Sequence, residues 1–232
     1  MYTGETCGGE LISAEITNMA LIPFKATSTM MVCGPTNSGK TQWIKRLIEN
    51  ADGMFSDPVK SILYCYGVYQ DKYDDMARTC SKIRFHEGIP SHETLKAMAD
   101  GDFHLVVLDD LMEAVVSDPS VQKMFTQYCH HYRFTAILVY QNIYAQGKCA
   151  RSIAVNTHIM VLFQNKRDKR QVRTLASQIN PSNPKALIEA YEEATSPPYG
   201  YLVVDCSPGT LEEFSWRTRV FPGEDTAIYL PK

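Results

Sequence analysis

Long apolar runs are missing from this sequence. No stretch reaches the about 18 consecutive apolar residues that a membrane-spanning helix requires, so we expect no membrane partner. The first segment contains Glu5, Glu10 and Glu15 and lacks a basic region followed by an apolar core, so a secretory signal is not expected. We also find neither an internal repeat nor a low-complexity stretch.

Paired cysteines are missing as well. The 7 cysteines are odd in number and scattered, and no two of them form a Cys-x-x-Cys pair. That distribution argues against a disulfide framework and against a zinc ribbon. Several cysteines lie in apolar stretches, where the thiol behaves as a small hydrophobic group. A reducing, intracellular compartment is the simplest interpretation.

A strong excess of positive charge is the third absence. The 232 residues include 23 Lys and Arg against 26 Asp and Glu, a formal net charge of −3, which excludes a uniformly basic nucleic-acid coat. Hydrophobic residues make up 44% and charged residues 21%, which is ordinary for a folded globular chain and argues against disorder. The length favours one large domain over two small ones.

Apolar segments alternate with amphipathic helical segments along most of the chain. Near-continuous apolar strands of this kind are typical of a parallel sheet covered by helices on both faces, so we predict a three-layer α/β domain. The predicted strands are 27–33, 61–66, 82–85, 104–108, 135–140, 158–163 and 200–205. We expect an arm or lead-in over 1–26, the core over 27–206, and a tail with a short hairpin over 207–232.

A glycine-bearing segment links the first predicted strand to a helix. Gly34-Pro-Thr-Asn-Ser-Gly39-Lys40-Thr41 fits the pattern G-x-x-x-x-G-K-[ST]. Glycines let the backbone wrap closely around phosphates, and the start of the following helix presents partial positive charge to the same anion. We therefore predict a P-loop NTPase sandwich that binds ATP. The predicted nucleotide-binding residues are Gly34, Pro35, Thr36, Asn37, Ser38, Gly39, Lys40, Thr41 and Gln42.

Two carboxylates follow the strand 104–108. In the predicted site Lys40 reaches the β- and γ-phosphates, while the hydroxyl of Thr41 and the carboxylate of Asp109 bind Mg²⁺. Asp110 is placed to orient or deprotonate the attacking water, a role that Glu fills in many ATPases. Glu113 is a reserve candidate for that role and is otherwise a solvated helix residue.

Polar and basic residues follow the next two strands. An amide at Gln141 can contact both the γ-phosphate and the water, and the alternative is a turn-forming amide. Phosphoryl transfer is accelerated by an arginine that neutralises developing charge. Arg151, Arg167 and Arg170 are candidates for that arginine, and for each of them the alternative is a solvated cation.

The order of these motifs resembles the FtsK/HerA class of DNA-pumping ATPases, especially the compact viral genome-packaging ATPases within it. Such enzymes serve poxviruses, other large DNA viruses, virophages and Polinton- or adintovirus-like elements. The resemblance covers about residues 27–206. It rests on the predicted phosphate loop Gly34–Thr41, on Leu108-Asp-Asp110, on Tyr140-Gln-Asn142 and on the strand before Asp168-Lys-Arg170. The chain departs from the bacterial relatives in having Asp110 where they usually have Glu, and it has no extra DNA-reading domain.

The resemblance implies a ring-shaped homo-oligomer, a hexamer or a pentamer, with ATP between subunits and double-stranded DNA in the central channel. It implies sequence-independent DNA binding, contacts with capsid or portal vertex proteins, and an intracellular location at sites of virion assembly in an infected host cell, with association with the virion as an alternative. It also implies an arginine that acts on the neighbouring subunit, for which Arg151 is our first candidate and Arg170 our second.

Charge is distributed unevenly along the chain. The stretch 130–173 holds eight Lys and Arg and one acid, a local charge of 8 − 1 = +7 that a ring would repeat around a DNA channel. The alternative is that these cations divide between catalysis and ordinary surface. They are Arg133, Lys148, Arg151, Lys166, Arg167, Lys169, Arg170 and Arg173.

Three other functions fit parts of the pattern. A superfamily 3 or AAA+ helicase is the main alternative, but it usually carries an additional domain for which there is little room. A small nucleotide kinase needs an arginine-bearing lid and has no evident use for Gln141. A nucleotide-gated scaffold would not require the set of Lys40, Thr41 and Asp109.

Two aromatic residues are expected to have structural roles. Trp43, just after the phosphate loop, is expected to pack on its helix rather than stack on the nucleotide. Tyr64, in the predicted strand 61–66, is expected to pack on helices rather than contact nucleic acid.

Overall fold

Ten strands of the described chain join into one sheet. The computed structural model describes residues 12–17 and 22–231, so much of the predicted segment 1–26 lies outside the described residues. The strands are β1 (Ile12–Thr17), β2 (Thr29–Cys33), β3 (Val59–Tyr66), β4 (Ile83–Glu87), β5 (Phe103–Asp109), β6 (Phe134–Tyr140), β7 (Ile159–Phe163), β8 (Tyr201–Asp205), β9 (Trp216–Thr218) and β10 (Thr226–Pro231).

Helices connect the strands and cover the sheet. They are α1 (Lys40–Glu49), α2 (Ala51–Met54), α3 (Lys72–Thr79), α4 (His92–Ala97), α5 (Met112–Ser117), α6 (Pro119–Lys123), α7 (Cys129–His131), α8 (Ala150–Val155), α9 (Arg170–Ile179) and α10 (Pro184–Ala194), with a π-helical turn at Met124–Tyr128 and a 3₁₀ turn at Glu212–Phe214. Two helices begin at the capping residues that the sequence predicts: the Ser91 hydroxyl accepts from the Thr94 N–H at α4, and the Asp118 carboxylate accepts from the Ser120 N–H at α6.

The strand order is β1-β10-β9-β8-β7-β2-β6-β5-β3-β4. From β7 to β4 all neighbouring strands run parallel, whereas β8, β9, β10 and β1 are added in antiparallel fashion beyond β7. The predicted three-layer α/β fold with a mainly parallel central sheet is confirmed.

Alternate residues of the central strands serve two separate cores. In β2, Met30 and Val32 face the core that includes α1 and α3, while Met31 and Cys33 face the core that includes α9 and α10. Both faces of β2 are therefore buried, which explains why its sequence is a nearly continuous run of apolar residues.

The direction of β8 differs from the simplest expectation from the sequence. Two helices, α9 and α10, pack against each other between β7 and β8 and return the chain to the edge that it left. Tyr201, at the start of β8, consequently pairs with Phe163, at the end of β7. Buried strands of either direction have the same apolar pattern, so hydropathy alone does not distinguish them.

The last segment of the chain is built into the sheet. β9 and β10 pair with each other in antiparallel fashion and lie between β8 and β1. The buried guanidinium of Arg217 on β9 lies 3.1 Å from the buried carboxylate of Asp205 on β8. The pair links the two strands, and loss of either partner would leave the other as an uncompensated buried charge.

Candidate functional site

The phosphate loop joins the carboxyl end of β2 to the start of α1. Gly39 has a φ of 102°, a left-handed conformation that favours glycine. At Gly34 an added Cβ would lie 2.6 Å from Cβ of Phe163 and 2.7 Å from the hydroxyl of Ser38. The loop therefore wraps tightly against β7, and only glycine fits at its first position.

The polar groups of the loop are arranged to receive an anion. The hydroxyl oxygen of Ser38 is buried and has no hydrogen-bond partner within the described chain. The ammonium group of Lys40 donates to the carbonyls of Gly34 (2.7 Å) and Pro35 (2.8 Å), folded back over its own loop. Burial lowers the pKa of Lys40, while the nearby Asp109 carboxylate acts in the opposite direction. These donors fit a phosphate chain.

Lys72, at the first turn of α3, is a second cation in the site. Its ammonium group donates to the hydroxyl of Thr41 over 3.3 Å. Its charge also lowers the pKa of Asp109, against the larger opposing effect of burial, and lowers that of Lys40. Lys72 thus contacts the hydroxyl of the predicted Mg²⁺ site and acts electrostatically on its carboxylate.

Asp109 ends β5 as a buried carboxylate. Its residue is 5% exposed, and one of its oxygens accepts a hydrogen bond of 2.6 Å from the hydroxyl of Tyr64 on β3. Burial raises the pKa of Asp109, and the Tyr64 hydrogen bond partly offsets that rise. Two oxygen donors, from Thr41 and Asp109, form a donor set that suits a hard cation such as Mg²⁺.

Asp110 adopts a strained backbone conformation directly after Asp109. Its φ is 57°, in the left-handed region that non-glycine residues rarely adopt. The Asp110 carbonyl lies so close to Gly67 that a Cβ there would clash with it. Asp110 is exposed, and its charge acts on the pKa of Lys40 and of Tyr73. The side chain of Glu113, the reserve candidate, is outside the description.

Gln141 follows the strand that lies between the phosphate-loop strand and the Asp109 strand. β6 pairs with β2 on one side and with β5 on the other, and the Gly34 N–H donates to the carbonyl of Tyr140 over 3.2 Å. Gln141, which is exposed, lines the same small cleft as Gly34. The structure therefore brings this amide to the phosphate loop.

A second glutamine links the loop after β6 to the start of α9. The side-chain oxygen of Gln171 accepts from the Ile143 N–H (2.7 Å), and its NH₂ group donates to the carboxylate of Asp168 (2.7 Å) and to the amide oxygen of Asn142 (3.3 Å). The backbone that follows Gln141 is thus tied to the segment that carries Arg170.

The three candidate arginines lie in different surroundings. Arg167 lines a cavity of about 550 Å³ together with phosphate-loop residues, including Thr36 and Ser38. Arg151 lines a separate cavity of about 580 Å³, beside the exposed Val155, and no phosphate-loop residue lines that cavity. Arg170 is exposed at the start of α9 and lies near Asp168.

Among the predicted cations of the stretch 130–173, Arg133 lies apart from the rest. It precedes β6 at the opposite edge of the sheet from Gln141 and forms an ion pair of 2.8 Å with Asp57. The other seven follow the carboxyl ends of β6 and β7 in the chain. Arg133 is therefore removed from the predicted basic channel.

The described residues contain neither a helix suited to a membrane nor a preformed metal cluster. No helix there has the length and hydrophobicity to cross a membrane. No group of three or more His, Cys, Asp or Glu side chains is close enough within that part of the chain to hold a metal by itself. Any Mg²⁺ at Thr41 and Asp109 would therefore need further oxygens from the nucleotide and water, as is usual for this ion.

A solved structure of a viral NTPase has a similar fold. The solved structure of the genome packaging NTPase B204 from Sulfolobus turreted icosahedral virus 2, in complex with ATP-gammaS, superposes with a TM-score of 0.52 and 12% sequence identity. The match covers 89% of this chain and 98% of that one, so the shared architecture extends over nearly the whole length of both. No family model and no curated protein matches the sequence.

Sequence reasoning missed two residues of the site. Lys72 and Tyr64 contact Thr41 and Asp109 from elements that are distant in the chain. Tyr64 was expected to pack on helices, and its ring does lie 5.3 Å from that of Tyr73 on α3, but its hydroxyl also binds Asp109. The sequence places Tyr64 in β3 and Lys72 shortly after it, but it does not show that β3 pairs with β5.

Proposed function

We propose that the protein is an ATPase that packages viral double-stranded DNA into a capsid, as one subunit of a ring of the FtsK/HerA type. One observation carries the proposal: Lys40 after β2, Gln141 after β6 and Asp109 at the end of β5 belong to three consecutive strands of the sheet and lie at the carboxyl ends of those strands. The fold shared with a viral genome packaging NTPase that was solved with an ATP analogue supports the same assignment.

Each residue then has a distinct task in hydrolysis. Lys40 exchanges the loop carbonyls of Gly34 and Pro35 for the β- and γ-phosphates. Thr41 and Asp109 would hold Mg²⁺, which when bound neutralises phosphate charge. Asp110 accepts a proton from the attacking water, and Gln141 orients that water. A strained, exposed carboxylate beside a buried one divides the base and metal-binding roles between Asp110 and Asp109.

DNA binding rests on the seven cations that follow β6 and β7. Repetition of this patch around a ring produces a basic channel on a subunit whose net charge is −3. Contacts of this kind are with phosphates and are independent of sequence. When the salt concentration rises tenfold, the affinity for duplex DNA should therefore fall by about 0.9 log units for each phosphate that is neutralised. The capsid or portal vertex is the expected second partner.

The test combines turnover with assembly. Purified protein is assayed for ATP hydrolysis with and without duplex DNA, and its mass is measured under native conditions with an ATP analogue and duplex DNA. We expect DNA-stimulated hydrolysis, a pentameric or hexameric mass, and loss of turnover in Lys40→Ala. Robust hydrolysis that is indifferent to DNA of any length contradicts the proposal.

Three further readouts separate the alternatives. Strand separation of a forked duplex favours the helicase. Transfer of phosphate to a nucleotide, seen by product chromatography, favours the kinase. Bound nucleotide without turnover, even with DNA and capsid present, favours the scaffold.

A further inference from the structure

Tyr199 is an exposed aromatic residue beside the phosphate loop. It has 73% of its surface exposed and a φ of 60°. Exposure of a large aromatic ring to water and a left-handed backbone at a residue other than glycine are both unfavourable. Its ring carbon Cδ1 lies 3.2 Å from the position that a Cβ on Gly39 would take. The ring therefore lies over the glycine at which α1 begins.

The backbone around Tyr199 is fixed by the fold rather than by the ring. The Gly200 N–H donates to the carbonyl of Pro197 over 3.0 Å, and the Thr195 N–H donates to the carbonyl of Tyr191 over 3.0 Å. At Gly200 an added Cβ would lie 2.5 Å from the carbonyl of Ala194. A tight turn between α10 and β8 thus presents the ring to solvent in one place.

An aromatic cavity of about 370 Å³ opens next to this ring. Gln42 is the exposed polar side chain on its wall, while Arg46 is engaged by Glu224 (2.8 Å) and by the ring of Phe221 (4.1 Å to its centre). Cavities of this size, largely apolar and with few polar groups, are typical of small-molecule sites. Its walls are Gly39, Gln42, Trp43, Arg46, Phe163, Tyr199 and Tyr201.

Sheet order determines which end of a nucleotide would reach this cavity. The groups proposed to act on the terminal phosphate, Asp109 and Gln141, follow β5 and β6 on one side of β2. The cavity lies on the other side, where Phe163 ends β7 and Tyr201 begins β8. A nucleotide with its γ-phosphate near Gln141 would therefore have its base near Tyr199.

We propose that Tyr199 is the platform on which the base of a nucleoside triphosphate stacks, in the cavity bounded by Gln42 and Trp43. The inference rests on the proposed nucleotide site and adds the determinant of base recognition. Stacking uses the π-face that every base has, so the site accepts purines with little discrimination between ATP and GTP. Gln42 offers an exposed polar side chain on the cavity wall that can read the edge of the base.

Binding measurements on the full chain test the proposal directly. ATP and inorganic tripolyphosphate are titrated into wild type, Tyr199→Asn and Tyr199→Phe by calorimetry. Asparagine tolerates the left-handed backbone and removes the ring, whereas phenylalanine keeps the ring. We expect Tyr199→Asn to bind ATP about tenfold or more weakly and tripolyphosphate as wild type does, and Tyr199→Phe to retain ATP affinity within about twofold.

Other outcomes have distinct meanings. Equal loss of ATP and tripolyphosphate affinity in Tyr199→Asn, or no loss of either, overturns the stacking role. A wild type that binds neither ligand overturns the proposed nucleotide site itself. Leu211→Asn is the matched control, because Leu211 is 60% exposed and follows β8 at the opposite edge of the sheet.

Fluorescence identifies the cavity. The chain has 2 tryptophans, so in Trp216→Phe the emission reports on Trp43 alone. We expect ATP to change that emission and tripolyphosphate to leave it nearly unchanged. An equal response to both ligands, or a response to neither in a variant that binds ATP, places the base outside this cavity and overturns the proposal.

Discussion

The burial of Asp109 opposes folding while it serves the proposed metal site. Burial holds the pKa of this carboxyl above its usual value, so ionisation at neutral pH is less favourable in the folded chain than in the unfolded one. The folded state therefore loses stability as the pH rises through the range in which the carboxyl ionises. A neutral isostere escapes that loss and also loses the negative charge that binds Mg²⁺.

We predict opposite effects on stability and turnover for Asp109→Asn. The free energy of unfolding at neutral pH should rise by about 0.5–2 kcal/mol, seen as a higher Tm, with a gain that shrinks as the pH is lowered. ATP hydrolysis should fall by about 100-fold or more. Asp102→Asn, an exchange at an exposed carboxylate paired with Lys60, should change stability by about 0.5 kcal/mol or less. A lower Tm in Asp109→Asn contradicts the argument.

Lys72 places a positive charge next to the Thr41 hydroxyl and close enough to Asp109 to lower the pKa of that carboxyl. Mg²⁺ held by Thr41 and Asp109 would meet like-charge repulsion from this ammonium group. In Lys72→Gln the Mg²⁺ concentration for half-maximal hydrolysis at fixed ATP should fall by about fivefold, equivalent to about 1 kcal/mol of repulsion in a partly solvated site. Lys72→Arg keeps the charge and should behave as wild type. A raised KM for ATP with unchanged Mg²⁺ dependence would instead indicate that Lys72 contacts phosphate.

At the scale of elements, local patterns predicted more than distant contacts did. The phosphate loop and the carboxylates after β5 depend on residues that are adjacent in sequence, and the structure brings both to one edge of the sheet. The order of strands decides which loop ends become neighbours, and the sequence holds no local sign of it. Tyr64 and Lys72 were missed for that reason, and the antiparallel start of β8 at Tyr201 was missed because a two-helix connection reverses the expected direction.

The Gln171 bridge couples two elements of the site. It ties the backbone after Gln141 to Asp168 and hence to the helix that carries Arg170. In Gln171→Leu the Ile143 N–H and the Asp168 carboxylate lose their partner, so the free energy of unfolding should fall by about 1–3 kcal/mol. The kcat for ATP should fall about tenfold with little change in KM, because the amide of Gln141 is no longer held in place.

A matched variant on the same helix controls for that prediction. Gln178 accepts a hydrogen bond of 2.8 Å from the hydroxyl of Tyr144, a side-chain donor rather than the backbone next to Gln141. Gln178→Leu should therefore leave kcat within about twofold of wild type. Equal losses of kcat in the two variants would show that α9 is merely destabilised and that the bridge does not position Gln141.

At the scale of the whole molecule, the proposed ATP site still lacks an assigned catalytic arginine. Arg151 lies in a cavity that no phosphate-loop residue lines, next to the exposed Val155. Arg167 lines a cavity together with phosphate-loop residues, and Arg170 lies near Asp168, which shares a cleft with Gly34. An arginine placed away from its own loop on an exposed face is available to a neighbouring subunit. This geometry keeps Arg151 as the first candidate for action across an interface in the proposed ring.

Mixing two inactive variants tests that assignment. Lys40→Ala and Arg151→Ala should each reduce ATP hydrolysis by about 10³-fold, since both remove charge stabilisation of the transferred phosphoryl group. In a ring of head-to-tail interfaces, an equal mixture pairs an intact Lys40 with an intact Arg151 from its neighbour at about one interface in four, so activity should recover toward about a quarter of wild type. Mixing Lys40→Ala with Arg170→Ala provides the comparison. Recovery only in that second mixture would transfer the role to Arg170, and recovery in neither would place the arginine in the same chain as the phosphate loop that it serves.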